Sequence, residues 1–353
     1  MRKTRIGITH GDTNSVGYEV ILKALENPTL CEMYTPIVYG SPKLASYYRK
    51  SLEIETNLYT ISSGDQAIEG KANLVETLKE EVKVDMGQAT PESAQAALAS
   101  LDNALEDWKD DSIDVLVTNE MSLPQIKLLK PDFTDEVAYI AQQTESEEEP
   151  LTVLIGQDTK IALYTEDIPL SQVADSISQE KVLSKLKQIA QMLSRDFLVS
   201  HPRIAVLALN PTPGKEEEEI LNPAIEQANN EKICVYGPLA AEQVFGSNAY
   251  THYDCILALY NEQGRTPFRA LNPEGGIRYT AGLPIVHTRP DHGCEFQATG
   301  KNTSDPLGLL HAIYTAADIF RHREFYDESR EDPLPKLYHE KKERDERKPF
   351  RPE

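Results

Sequence analysis

Short β-branched runs alternate with helix-period stretches along almost the whole chain, and that alternation leaves few folds open. Arg5–Thr9 reads as a strand and Val16–Glu26 as a helix. Thr35–Tyr39 is again strand-like, and a helix is entered through Ser41-Pro42. Ser93–Lys109 places Ala and Leu on one helical face and leads into the strand Asp114–Thr118. Further strands are predicted at Ile161–Tyr164, Ile204–Leu209 and Cys255–Leu259, and helices at Gln179–Leu193 and Asp305–Phe320. Parallel strands need crossovers of a dozen or more residues, and helices of this length supply them. The pattern therefore predicts an α/β fold, a largely parallel sheet flanked by helices. No internal repeat is present.

Composition narrows the function classes. A chain of 353 residues can bury a large core and allows one to three domains. The formal net charge of −21 disfavours a nucleic-acid partner, and none is expected, because phosphate backbones require clustered Lys and Arg. No apolar run approaches the roughly 18 residues of a membrane span, so no membrane partner is expected. Met1-Arg2-Lys3-Thr4-Arg5 leads directly into the first strand, so no signal peptide is expected. Cys31, Cys234, Cys255 and Cys294 lack paired spacing, which favours a reducing, cytoplasmic setting over a disulfide framework or zinc ribbon. Glu145–Glu149 and Lys215–Glu219 are acidic loops. Residues 323–353 are almost wholly charged or interrupted by Pro and cannot build a core of their own. That segment is either a solvated or docked extension, or an arm crossing a subunit boundary through Phe325, Tyr326, Leu334, Leu337 and Tyr338.

The chemistry concentrates near Pro290-Asp291-His292-Gly293, which follows a short apolar strand. An acid and an imidazole on such a turn are candidate catalytic groups, although a capped turn with a surface His reads equally well. Reading backwards come Leu259-Tyr260-Asn261-Glu262-Gln263-Gly264, Gly237-Pro238-Leu239-Ala240-Ala241-Glu242, and Leu207-Ala208-Leu209-Asn210-Pro211. The start carries Ile6-Gly7-Ile8-Thr9-His10-Gly11-Asp12 followed by Val16-Gly17-Tyr18-Glu19. In this order and spacing the segments resemble the 4-hydroxythreonine-4-phosphate dehydrogenase (PdxA) family of pyridoxal phosphate biosynthesis, over roughly residues 4–322.

The resemblance implies a fold similar to the isocitrate and isopropylmalate dehydrogenases, with two α/β domains, a cleft between them, and a homodimer completing the site. Residues 1–125 with 290–322 would form the first domain, residues 126–289 the second, and residues 323–353 a charged C-terminal extension. It also implies NAD as cofactor. The residues themselves offer no Gly-x-Gly-x-x-Gly, because Gly11-Asp12-Thr13-Asn14-Ser15-Val16-Gly17 has the wrong spacing.

The departures are as informative. The family binds a divalent metal through three histidines, in Thr-His-Ile/Leu-Pro-Leu, Asn-Pro-His-Ala-Gly and Tyr-His-Asp-Gln-Gly. Here the matching segments place Asp167, Thr212 and Asn261 at those positions. Three oxygens with one carboxylate suit zinc poorly, so no metal is expected. The family's Ala-Pro-Ile-Asn-Lys becomes Asn119-Glu120-Met121-Ser122-Leu123, and its Gly-His-Thr-Glu becomes Asp135-Glu136-Val137-Ala138. Lys215–Glu219 would repel a phosphorylated ligand if it faced the cleft. The family's phosphate-gripping Lys, Asn and Arg match Arg269, Arg278 and His287, with Arg265 nearby. These form either a clamp for a small anion or ordinary surface charges. Three functions follow: a divergent member with lost or altered catalysis that still binds a small phosphorylated or carboxylate ligand, an active NAD-dependent dehydrogenase, or an assembly protein.

Overall fold

The computed structural model describes residues 2–78, 82–273 and 275–331. Its strands are β1 (Arg5–Thr9), β2 (Thr35–Gly40), β3 (Leu58–Ile61), β4 (Ala72–Glu76), β5 (Val115–Val117) and β6 (Leu151–Ile155). They continue as β7 (Lys160–Leu163), β8 (Arg203–Leu207), β9 (Cys234–Leu239), β10 (Cys255–Ala258), β11 (Ile277–Ala281) and β12 (Val286–Pro290). All twelve join one sheet in the order β3-β4-β2-β1-β5-β12-β11-β6-β7-β10-β8-β9. Pairing is parallel except where β11 meets β12 and β6, and where β6 meets β7. The two flanks of the sheet consequently run in opposite directions, and an antiparallel stitch joins them at the centre. The predicted α/β class with a largely parallel sheet and flanking helices is what the chain adopts.

Local chemistry explains the helix starts. Ser41 accepts from Leu44 N and Pro42 opens the helix Pro42–Ser51, a Ser cap followed by Pro in the first turn. Thr90 and Ser93 form a reciprocal capping box on Pro91–Lys109. Ser93 Oγ also donates to Asp12 Oδ2 at 2.9 Å, which fixes the turn after β1 to this helix.

Side-chain alternation divides the central strands between two environments. Val115, Val117, Val286, Ile277, Tyr279 and Val153 pack with Leu186, Ile189, Leu309, Ala312 and Ala316 into the largest core cluster. Those partners come from the helices Gln179–Asp196 and Leu307–Glu331. The opposite face presents Thr118, His287, Arg289, Arg278, Thr280 and Thr152. That polar row is the floor of the site.

The charged extension expected from residue 323 needs correction at its start, because the last helix continues to Glu331. Arg323 is buried; it donates to Asp196 Oδ1 at 2.7 Å, to the Tyr279 hydroxyl at 2.9 Å, and to the carbonyls of Leu283 and Pro284. Composition left a solvated or docked extension open, and at Arg323 one guanidinium with five donors finds a set of acceptors inside. Phe325 is exposed, Tyr326 stacks under Arg330, and Leu334, Leu337 and Tyr338 lie outside the described residues. No helix among the described residues is long and apolar enough to cross a membrane.

Candidate active site

A cleft of about 990 Å³ opens over the polar face of β12, β11 and β6. On its floor Arg278 of β11 stands directly opposite Arg289 of β12, and Thr280 opposite His287. Like charges directly opposite across a strand pair destabilise the sheet unless anions separate them. Two sets of carboxylates do so.

The first set is Asp291, just past the end of β12, whose side chain has no solvent exposure. Arg265 Nη2 lies 2.6 Å and Arg278 Nε 2.7 Å from its Oδ1, while Arg269 Nε lies 3.0 Å from Oδ2. Arg269 also donates to the Asp291 carbonyl. Arg265 and Arg269 are four residues apart on the helix Asn261–Leu271, so one helical face delivers both. Three guanidiniums on one carboxylate leave an excess of two positive charges. Arg265 and Arg278 line the cleft, whereas Arg269 reaches Asp291 from the more exposed side.

The second set surrounds Arg289, which lies 2.9 Å from both Glu120 Oε2 and Glu136 Oε2. Burial opposes the charge on Arg289, but Glu136, Glu120 and Glu166 outweigh it and hold its pKa above the ordinary value. Burial also raises the pKa of Glu136, with Arg289 and Thr118 offsetting it and Glu120 adding to it. Glu166 is raised by burial and by Asp167, against Thr152, Arg289 and Arg265.

His287 does not join the arginines as the sequence motif implied. It is buried, with Nε2 2.9 Å from the Thr118 hydroxyl and Nδ1 2.9 Å from that of Thr280. Burial, helped by Arg289, lowers its pKa to about 3, so it is a neutral strut across β5, β12 and β11. Of the two candidate catalytic groups, Asp291 is the buried anchor for arginines. His292 directs Nδ1 to the Gly293 carbonyl at 2.8 Å and is absent from the cleft wall.

The three loops matched to the family's metal ligands follow β7, β8 and β10, which are neighbours in the sheet. Gln263 ties two of them, accepting from Leu259 N at 2.8 Å and donating to the Ala208 carbonyl at 2.7 Å. Gly264 allows its helix to approach, since a Cβ there would stand 2.6 Å from Leu163 Cδ2. The scaffold is in place, but its donors are a carboxylate, a hydroxyl and an amide. Of the three, only Asp167 lines the cleft. No group of three or more His, Cys, Asp or Glu among the described residues could hold a metal ion. A transition-metal centre built on imidazole or thiolate does not fit this set. In the turn after β1, Gly17 is required for close backbone approach, because a Cβ there would stand 1.9 Å from the His10 carbonyl.

The acidic loop after β8 turns away from the cleft. Glu217 is buried and accepts from the backbone and side chain of Asn210 and from Gly214 N. Burial alone would raise its pKa, yet these bonds hold it below the ordinary value. Leu123, Asp135 and Val137 line the cleft. Glu120, Glu166 and Arg289 were not singled out from sequence. Arg289 sits two residues from both His287 and Asp291, and strand alternation alone could have placed it on their face.

A sequence profile described as "Pyridoxal phosphate biosynthetic protein PdxA" matches residues 32–316. The chain belongs to the PdxA family. It is 41% identical over 346 residues to the 4-hydroxythreonine-4-phosphate dehydrogenase of Bacteroides thetaiotaomicron, covering 96% of this chain and 95% of that one. A relative of the same name from Sulfurihydrogenibium is 30% identical over 325 residues, covering 90% of this chain and 99% of its own. The crystal structure of 4-hydroxythreonine-4-phosphate dehydrogenase from Klebsiella pneumoniae shares the fold, with a TM-score of 0.80 at 23% identity, covering 91% of this chain and 98% of that one. The function of this family member is thus 4-hydroxythreonine-4-phosphate dehydrogenase-like.

Proposed function

We propose that this chain is a divergent PdxA-family protein that binds a small phosphorylated or carboxylate ligand in its cleft and whose metal-dependent catalysis is lost or altered. The observation that carries the reading is the set of three guanidiniums braced on the buried Asp291. Asp291 holds the arginines in place without cancelling them, and Arg265 and Arg278 direct the excess charge into the cleft. Charge-assisted bonds of this kind contribute roughly 1.5–3 kcal/mol each, so two sustain millimolar affinity, about −4 kcal/mol. The homodimer implied by the resemblance is part of this reading.

The test is calorimetric titration of full-length protein with glycerol 3-phosphate, on wild type and Arg278→Ala. Saturable binding by wild type, weakened at least tenfold in the variant, is the expected result. Equal responses from both proteins would reduce the arginines to surface charges. A second reading, active NAD-dependent 4-hydroxythreonine-4-phosphate dehydrogenation, draws on the name of the 41%-identical Bacteroides relative. NADH formation from 4-phosphohydroxythreonine on the order of 1 per second, an ordinary enzyme rate, would establish it over the first.

A further inference from the structure

Beneath the cleft floor, a buried chain of two hydroxyls and one imidazole leads from Thr280 towards Glu136. Thr280 and Glu136 line the cleft, whereas Thr118 and His287 are buried and do not. His287 Nδ1 lies 2.9 Å from the Thr280 hydroxyl, and Nε2 lies 2.9 Å from that of Thr118. Glu136 is next in line. Its Oε2 accepts from Arg289 Nη1, and its Oε1 is buried with no hydrogen-bond partner. Burial favours the neutral form of Glu136, and the Thr118 hydroxyl is among the groups that favour the charged one.

A neutral imidazole has one N–H donor and one acceptor nitrogen, so one threonine donates to His287 and the other accepts from it. The Glu136 carboxylate decides which, because it can only accept and Thr118 is the hydroxyl beside it. Thr118 turns its proton to Glu136 and accepts from Nε2–H, which leaves Nδ1 bare to accept from Thr280. Every bond in the chain then points towards Glu136. A protonated Glu136 reverses them all: its O–H donates to Thr118, Thr118 donates to Nε2, and Nδ1–H donates to Thr280. The charged groups that face Glu136 are Arg289 on β12, Glu120 after β5, and Asp135 beside it, and Arg289 is the charge that acts on His287.

We propose that Thr280, His287, Thr118 and Glu136 form a proton relay under the cleft floor, in which His287 changes tautomer as a proton passes between a ligand at Thr280 and Glu136. A ligand group gives its proton to Thr280 Oγ1, the Thr280 proton moves to His287 Nδ1, the Nε2 proton moves to Thr118 Oγ1, and the Thr118 proton moves to the Glu136 carboxylate. Each bond broken is matched by one formed; the ligand ends one proton short and Glu136 ends as a neutral acid. His287 never becomes a cation, as its burial beside Arg289 requires. Thr280 is the group that meets the ligand, and His287 and Thr118 act through it as positioning residues. The relay uses neither Asp291 nor the three arginines braced on it, so it is independent of the clamp.

The experiment is nitrogen NMR of full-length protein carrying isotope-labelled histidine, in wild type and Glu136→Gln. His10 is the internal control, because its Nδ1 faces the Gly11 carbonyl, which can only accept and so fixes the Nδ1–H form. Wild-type His287 near neutral pH is expected as the Nε2–H tautomer. In Glu136→Gln the amide oxygen stays on Arg289 and the amide nitrogen donates to Thr118, so His287 switches to Nδ1–H while His10 is unchanged. If that variant does not fold, the wild type is titrated with labelled glutamate as well. The Glu136 carboxyl signal and the His287 tautomer then change at one midpoint, and Thr118→Val uncouples them. A purely structural strut keeps one tautomer throughout. Nδ1–H in the wild type near neutral pH, or Nε2–H retained in Glu136→Gln or through the Glu136 titration, overturns the relay.

Discussion

Asp291 and His287 both serve as structural supports of the cleft floor. The carboxylate read as a candidate acid is the anchor of three arginines, and the imidazole read as a ligand contact is sealed between two threonines. With His287 held neutral, ligand affinity should follow the ionisation of the ligand phosphate, whose second pKa is near 6. Binding of glycerol 3-phosphate is therefore expected to weaken as pH falls from about 7.5 to 5.5, measured by titration at several pH values. Strengthening over that range would mean that a protein group near the clamp gains a proton.

The residue positions were legible because the motif spacing fixed an alignment. Their roles were not, because burial depends on which face of β12 meets solvent and which helix covers it.

Elements were legible in proportion to their local signals. The helix Pro91–Lys109 has a cap, a proline and clear periodicity, and its start fell within two residues of the expected one. β6 and β11 were missed, since short strands in an antiparallel stitch carry no crossover helix between them to mark them. The final helix was cut short because its last three turns are rich in charge, yet Arg323 enters the core with Asp196 and Tyr279. Burial opposes the Arg323 charge, but Tyr279 and Asp196 hold its pKa above the ordinary value. Removing one partner of a buried ion pair strands the other and costs about 3–5 kcal/mol. Arg323→Ala should lower unfolding free energy by about that amount in urea titration. A loss under about 1 kcal/mol would show that water reaches Asp196 and that the helix end is not anchored there.

At the scale of the whole molecule, acid should be the weak point. His10 is fully buried and neutral, stacked on Tyr18 with ring centroids 5.0 Å apart, and burial lowers its pKa to about 4 against the bond to Gly11. His287 is lowered to about 3. Both groups have folded pKa values below the unfolded value near 6.5, so the unfolded chain takes up protons first as pH falls. Their contribution to stability is whole above about 6.5 and is lost from there down to about 4 for His10 and about 3 for His287. Over that window each buried imidazole costs about 1.4 kcal/mol of stability for every tenfold rise in proton concentration. Thermal unfolding from pH 7 to 4 should show a steep fall that flattens in His10→Asn, provided that variant folds. An unchanged slope would place the acid sensitivity elsewhere.

Metal content belongs to this scale too. Protein purified without chelator is expected to carry far less than one zinc, cobalt or nickel per chain by elemental analysis, because Asp167, Thr212 and Asn261 offer no imidazole. A stoichiometric ion lost on Asp167→Ala would overturn this.

The opposed arginines of β11 and β12 have a consequence for descent. Arg278 and Arg289 stand opposite each other, so each is unfavourable beside the other without the carboxylates that separate them. Positions 120, 136, 278 and 289 should therefore have changed together around Asp291. Across related sequences they are expected to covary, with few intermediates that carry both arginines but lack an acid at 120, 136 or 291. A phylogeny rich in such half-changed forms would mean that each charge was acquired independently and that their balance is incidental.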